Sequence, residues 1–324
     1  MSMDWRPSAD IETLRERARL IGEVRAFFAE RGVMEVETPV LGRAGSTDVH
    51  LASLHCTATT PAGRQPLWLQ TSPEFHMKRL LAAGSGPIFQ LARSFRDGEV
   101  GSRHNLEFTM LEWYRPGLDL DGLMAETEAL IRRLLPSDPG ALRRHRYREL
   151  FREDLDLDPF HEPLEALRRL ATERGGLDMA EACRDDCLDL LMSLVIEPRL
   201  GRDGLDVVLD YPASQAALAR RHRDPEDGEW VASRFEVYVN GLELANGYDE
   251  LTDAEEQGTR FAEDNAARRA AGLPEVDVDR HLLAALEAGM PEASGVALGL
   301  DRLIQLALGK ASVAEVMAFA TPRA

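Results

Sequence analysis

Apolar residues recur at Ile11, Leu14, Ala18, Ile21, Val24 and Phe28, and Gly32 follows soon after the last of them. Steps of three and four predict one helix over 11–31 with a single buried stripe and a glycine stop. Apolar runs at 67–70 and 87–93 predict strands, separated by a helix that begins at Pro73. The segment 93–115 reads as a hairpin in which two apolar strands flank a polar loop carrying Arg96, Arg103, His104 and Asn105. Glu107, Thr109 and Glu112 interrupt the returning strand. Polar residues on an otherwise buried strand predict a ligand-facing surface. A helix over about 121–135 closes the first half.

Between 136 and 200 the pattern changes: Pro136, Pro139, Pro159 and Pro163 separate short helical stretches, which predicts a helical insertion without catalytic residues. Strand pattern returns at Leu205–Tyr211 and Phe235–Val239, and helices follow at about 253–271 and 279–288. A last strand, Ser294 to Gly299, has glycines near both ends and runs into Asp301-Arg302 and an apolar helix. Glycines let a ligand approach the backbone, and an arginine at a helix N-terminus suits phosphate. Sequential strands with few βαβ crossovers predict an α+β domain, an antiparallel sheet flanked by helices.

Asn240-Gly241 between two alternating runs predicts a two-residue hairpin turn. Val239 then pairs with Leu242 and Tyr238 with Glu243, and Glu236 lies on the face of Glu243, one diagonal step away. Carboxylates that close repel unless a cation sits between them, so Glu236 and Glu243 are candidate metal ligands, the alternative being an exposed hairpin face with spread-out charges.

The chain has 324 residues, 44% hydrophobic and 29% charged, as in an ordinary globular protein. No apolar run approaches the roughly 20 residues of a membrane span, and Met1–Arg6 lacks a signal core, so the expected compartment is the cytoplasm. Three cysteines give neither a disulfide framework nor a zinc pattern. The net charge is −18, and Arg143–Arg146 and Arg220–Arg223, each with one histidine, are both followed by acidic residues. Nucleic-acid affinity needs a broad basic surface, so stable tRNA binding is not expected.

Arg96 with the run His104-Asn105-Leu106-Glu107-Phe108-Thr109 resembles motif 2 of class II aminoacyl-tRNA synthetases in its lysyl form. Gly295 to Leu303 resembles motif 3, and Arg31 to Leu41 resembles motif 1, the dimerisation element. The resemblance implies a class II synthetase-like catalytic domain over 1–324, a homodimer, and ATP and Mg2+ as cofactors. Motif 1 begins so early that no anticodon-binding OB domain is expected before it. Among such proteins the chain most resembles the elongation factor P lysine ligases, on Ser72–Leu80, Met110–Pro116 and Tyr211–Gln215. That group activates (R)-β-lysine or lysine as an adenylate and transfers it to a lysine ε-amine of elongation factor P.

By resemblance, Arg96 holds the α-phosphate and Arg302 the γ-phosphate, Phe108 stacks on adenine, and Asp97, Gly98, His104, Asn105, Glu243, Leu244 and Gly299 complete the ATP site. Ser72, Pro73 and Glu74 meet the substrate amine. Tyr114 and Glu250 hold the side-chain ammonium, with Glu112 and Asn246 nearby. Two departures stand out. Motif 2 reads Asp97-Gly98-Glu99 where Asn-Glu is usual, which leaves open whether Glu99 serves adenine, and Ala297 replaces a usual motif 3 glycine. The alternatives are a truncated lysyl-tRNA synthetase that charges tRNA and a non-catalytic paralogue. Retention of Arg96, Arg302, Glu236 and Glu243 argues against the second.

Overall fold

A computed structural model describes residues 5–324, so the first four residues of the segment read for a signal core lie outside the description. The chain divides into two compact units, one of residues up to Asp119 with Ala129–Pro136 and Leu251–Ala324, the other of Leu120–Glu128 with Ser137–Glu250.

In the first unit, helix α1 (Ile11–Ala29) starts where the Asp10 carboxylate accepts from the Thr13 amide at 2.6 Å. It is followed by Gly32 at φ +66°, a conformation that costs glycine nothing. Strands β1 (Met34–Glu35), β2 (Leu41–Gly42), β3 (His55–Thr60) and β4 (Gly63–Leu69), then helix α2 (Glu74–Ala82), lead into the hairpin β5 (Ile88–Phe95) and β6 (Glu107–Pro116). Helix α3 (Leu120–Leu134) follows, and the division between the units falls within it.

The second unit continues with β7 (Ala141–Arg146), α4 (Tyr147–Leu155), α5 (Leu164–Gly175), α6 (Arg184–Leu191), β8 (Gly204–Leu209), β9 (Arg221–Arg223), β10 (Trp230–Ala232), β11 (Arg234–Val239) and β12 (Leu242–Asp249). The chain then returns to the first unit with α7 (Ala254–Ala270), α8 (Arg280–Glu287), β13 (Ala293–Gly299) and α9 (Leu300–Ala307).

The first unit's main strands run in the order β1-β5-β6-β13. β6 is antiparallel to both β5 and β13, and β1 is parallel to β5. Successive strand residues point to opposite faces, which gives β6 two characters. Leu111 and Trp113 are fully buried on one face, with α1 packed over them. Phe28 of α1 stacks on Phe89 at 4.4 Å and lies 5.3 Å from the Trp113 ring. Burial of each such side chain stabilises by roughly 1.5–3 kcal/mol. The other face carries Phe108, Met110, Glu112 and Tyr114. Across from the last three, β13 places Gly299, Ala297 and Gly295. Small residues there leave room above the polar ones.

The second unit has the order β12-β11-β8-β7, antiparallel except for the parallel pair β7–β8. Tyr147, Phe151, Leu188, Leu191, Tyr211 and Tyr238 join one apolar core. The segment expected to be wholly helical opens with the strand β7. Its sequence Ala-Leu-Arg-Arg-His-Arg hides it, because backbone pairing and ion pairs hold it instead of apolar alternation. Arg143 meets Asp206 at 2.7 Å and Arg144 meets Asp121 at 2.8 Å. Cys183 caps α6, accepting from the Asp186 amide at 3.4 Å, so the spacing to Cys187 is that of a helix start.

Candidate active site

The face of β6 turned away from α1 gathers the residues expected to read an amino group. Glu112 is 1% exposed in the middle of the strand, paired with Gln90 of β5 and Ala297 of β13. Ser72 Oγ donates to one carboxyl oxygen at 2.5 Å, and Tyr114 OH donates to the other at 3.1 Å. The same Ser72 hydroxyl accepts from the Glu74 amide at 3.0 Å, so Ser72-Pro73-Glu74 opens α2 directly against Glu112. Burial pushes the Glu112 carboxyl up to about 8, the Glu74 charge adds to this, and the two hydroxyl donors oppose it. Such an acid retains its proton near neutrality and ionises when a cation arrives to balance it. Lys78, itself buried, meets Glu74 at 2.7 Å one helical turn on.

A second cluster lies at the loop end of the β5–β6 hairpin. Arg96 stands 5.2 Å from the Phe108 ring centroid, and its Nε is buried without a hydrogen-bond partner among the described residues. An orphaned buried donor beside a half-buried ring suits an incoming phosphate with a stacked base. Asp97 and Gly98 form the turn, with the Gly98 amide donating to the Asp97 carboxylate at 3.0 Å and Gly98 at φ +79°. Glu99 reaches back to Arg96 at 3.7 Å and to His104 at 4.0 Å, within the arginine cluster. Asn105 takes a bracing position: its amide donates to the Glu107 carbonyl at 2.6 Å and accepts from the Thr321 amide at 2.9 Å.

Gly299 ends β13 and caps α9, and a Cβ there would meet the Arg302 side chain at 3.4 Å. The Arg302 guanidinium lies 2.6 Å from His104 Nε2 and donates to the Arg103 carbonyl at 3.3 Å. Burial pulls His104 below its ordinary value and Arg302 lowers it further, while Glu99 opposes both. A neutral His104 accepts a hydrogen bond from the Arg302 guanidinium at Nε2. Arg96 and Arg302, about two hundred residues apart in sequence, are thus linked through Glu99 and His104.

In the second unit the Asn240-Gly241 turn pairs Val239 with Leu242 and Tyr238 with Glu243, the register expected from sequence. A bulge then adds Leu244, so that Glu236 pairs with Asn246. Arg234, Glu236 and Tyr238 alternate onto one face. Glu236 accepts from Tyr211 OH at 2.6 Å and Asn246 Nδ2 at 3.2 Å, and from Tyr238 OH and Arg234 at closer range. Burial, then Glu236, raises the Tyr238 phenol, and the Glu243 charge also contributes, so Tyr238 feels both carboxylates. Leu244 is buried, and Glu250, 1% exposed, follows the strand with its carbonyl accepting from Arg220 at 3.0 Å.

Among the described residues no group of three or more His, Cys, Asp or Glu could hold a metal by itself. Magnesium does not need one, since one or two carboxylates with phosphate oxygens and waters complete its shell. Glu243 and Glu236 fit that pattern, although Glu236 must exchange one of its present donors. The Arg234–Tyr211–Tyr238 setting of Glu236 was missed from sequence, yet its signal was there in the period-two run Arg234, Glu236, Tyr238. The Lys78–Glu74 pair had a signal too, in helical spacing of opposite charges.

The sequence profile of class II tRNA synthetases (D, K and N) matches residues 1–323. The elongation factor P–(R)-β-lysine ligase of Mannheimia succiniciproducens is 51% identical over 97% of this chain and 97% of its own length. The ligases of the same name from Klebsiella pneumoniae and Erwinia tasmaniensis are 49% and 50% identical, over 99% and 98% of this chain and 98% of each relative. Matched by that profile along nearly its whole length, and about half identical to these relatives, the chain belongs to the class II tRNA synthetase family of the D, K and N type.

Proposed function

We propose that this chain is an ATP-dependent ligase that activates (R)-β-lysine, or lysine, as an aminoacyl-adenylate and transfers it to a lysine ε-amine of elongation factor P. The observation that carries the reading is the buried Glu112 with its Ser72 and Tyr114 donors, a polar socket for an ammonium, in a chain about half identical to ligases of that name along their whole length. A buried cationic head needs an anionic, hydrogen-bonded partner. Glu112, Tyr114, Asn246 and Glu250 are assigned to the side-chain ammonium, and Ser72, Pro73 and Glu74 to the second amine.

In the first step the substrate carboxylate oxygen attacks the α-phosphorus of ATP, the bond to the bridging oxygen breaks, and pyrophosphate leaves. Arg96 neutralises charge at the α-phosphate, Arg302 orients the γ-phosphate, and Phe108 stacks on the adenine. Asp97, Gly98, His104, Asn105, Leu244 and Gly299 shape the nucleotide's surroundings. Glu243 and Glu236 would hold Mg2+, which supplies charge neutralisation to the phosphates. Positioning and electrostatics dominate, so no dedicated base is required. In the second step a protein ε-amine attacks the acyl carbon, AMP leaves, and the amine proton is lost to water.

We place this activity in a homodimer and in the cytoplasm. No described helix is long and apolar enough to cross a membrane, and Cys56, Cys183 and Cys187 are free. ATP–pyrophosphate exchange against a panel of lysine isomers tests the first step. Intact-mass analysis of a mixture with elongation factor P tests the second, and an unchanged elongation factor P mass would overturn the transfer.

A further inference from the structure

We infer that Arg17, on the first helix and outside the motif segments themselves, is a positioning residue for ATP, acting through Asp301 on the γ-phosphate arginine and through Thr109 on the adenine-stacking strand. The inference rests on the ATP reading of Arg302 and Phe108. Arg17 projects from α1 towards the face of β6 that carries Thr109, Leu111 and Trp113, opposite to the ligand face. Its guanidinium meets Asp301 at 2.6 Å, with side-chain exposures of only 12% and 5%. It also donates to Thr109 Oγ1 at 3.1 Å and to the Val316 carbonyl at 3.3 Å.

Asp301 completes the link, because its second oxygen accepts the Thr109 amide at 2.7 Å. Arg17, Asp301 and Thr109 therefore form a closed triangle joining α1, β6 and the first turn of α9. Two of its corners lie one residue from a nucleotide group: Asp301 precedes Arg302, and Thr109 follows Phe108. Asp301 holds the Thr109 backbone from behind, and Arg17 holds Asp301 while sharing the Thr109 hydroxyl with Arg93, which donates to it at 3.2 Å. A buried carboxylate deprived of its partner is costly, so removal of Arg17 should loosen Asp301 and with it the turn that aims Arg302. Misplacement by about 1 Å at a distance from the chemistry can cost on the order of 100-fold.

The test is a double-mutant cycle of Arg17→Met and Asp301→Asn in the full chain. Melting temperature is followed by circular dichroism, ATP binding by calorimetry, and KM for ATP and for the lysine substrate by pyrophosphate exchange. The expected result is a 10- to 100-fold rise in the Kd and KM for ATP in each single variant. The KM for the amino acid should change little, the double variant should be no worse than the worse single, and Arg17→Lys should recover part of the loss. Equal rises in both KM values, additive losses in the double variant, or unchanged ATP affinity with only a lower melting temperature would each overturn the inference. If Arg17→Met does not fold, Arg17→Lys and Asp301→Asn carry the same comparison. Wild-type protein that bound no ATP would instead sink the functional reading, and this inference with it.

Discussion

At the residue scale the informative groups are Glu112 and Ala297, neighbours across β6 and β13. Glu112 is raised to about 8 from an ordinary value of 4.5, chiefly by burial and then by the charge of Glu74. Between those values the folded chain keeps a proton that the unfolded chain loses. That stabilisation is complete below the unfolded value and disappears as pH rises through the folded one. Glu112→Gln keeps the shape and cannot ionise. Its melting temperature should therefore depend less on pH than the wild type's between about pH 5 and pH 8, and parallel curves would show that the proton is not on Glu112. Ala297 faces the same socket, and a β-amino acid carries its amine one carbon further from the carboxylate. One methyl is worth about 1–3 kcal/mol, a discrimination of roughly 10 to 200-fold. Ala297→Gly should raise the specificity constant for α-lysine relative to β-lysine within that range. An unchanged ratio would remove Ala297 as the selector.

At the element scale the ligand strands were the easiest to read. β6 betrayed itself through Glu112 among apolar residues, β13 through its glycines, and the β11–β12 hairpin through Asn240-Gly241, whose first two pairings follow from the turn alone. The Leu244 bulge could not be foreseen, since the same alternation permits an unbroken ladder. Strands made of polar residues were missed: β3 reads His-Cys-Thr-Ala-Thr-Thr and belongs to a three-stranded sheet with β2 and β4. There only alternate side chains are partly covered, and neighbouring backbone decides the structure. The motif 1 segment has the opposite property, apolar sequence with exposed structure. Val33 is buried, whereas Met34, Val40 and Leu41 are 49%, 37% and 42% exposed. Together with the family membership, this motivates the prediction of a homodimer through residues 31–41. Light scattering at micromolar concentration should give twice the 36.0 kDa chain mass. Met34→Glu with Leu41→Glu should shift it towards the monomer, and a monomer mass for the wild type would refute the interface.

At the scale of the whole molecule, charge motivates a prediction about the two acceptors open to an activated lysine. A tRNA acceptor would need cationic groups free to neutralise phosphates, each contact adding to a salt-dependent affinity. The chain has 38 Lys and Arg against 56 Asp and Glu, a net charge of −18. Five arginines of its two basic clusters also have internal partners. Arg143, Arg144 and Arg146 pair with Asp206, Asp121 and Asp210 at 2.7, 2.8 and 3.2 Å. Arg220 donates to the Glu250 carbonyl at 3.0 Å, and Arg223 donates to the Gly228 carbonyl at 2.6 Å while standing 4.6 Å from the Trp230 ring centroid. Freeing these arginines for phosphate would expose carboxylates beside it, so the clusters cannot serve as a phosphate-binding stripe without a local penalty. A protein acceptor needs only one neutral amine presented to the acyl carbon, which an acidic surface does not oppose. The purified protein with ATP and (R)-β-lysine should therefore add one lysyl mass to elongation factor P, with tRNA in the same mixture left uncharged at physiological salt. Lowering the salt, which lengthens the reach of surface charges, should not reverse that order. Efficient charging of tRNA under either condition would overturn the assignment of the acceptor while leaving adenylate formation untouched.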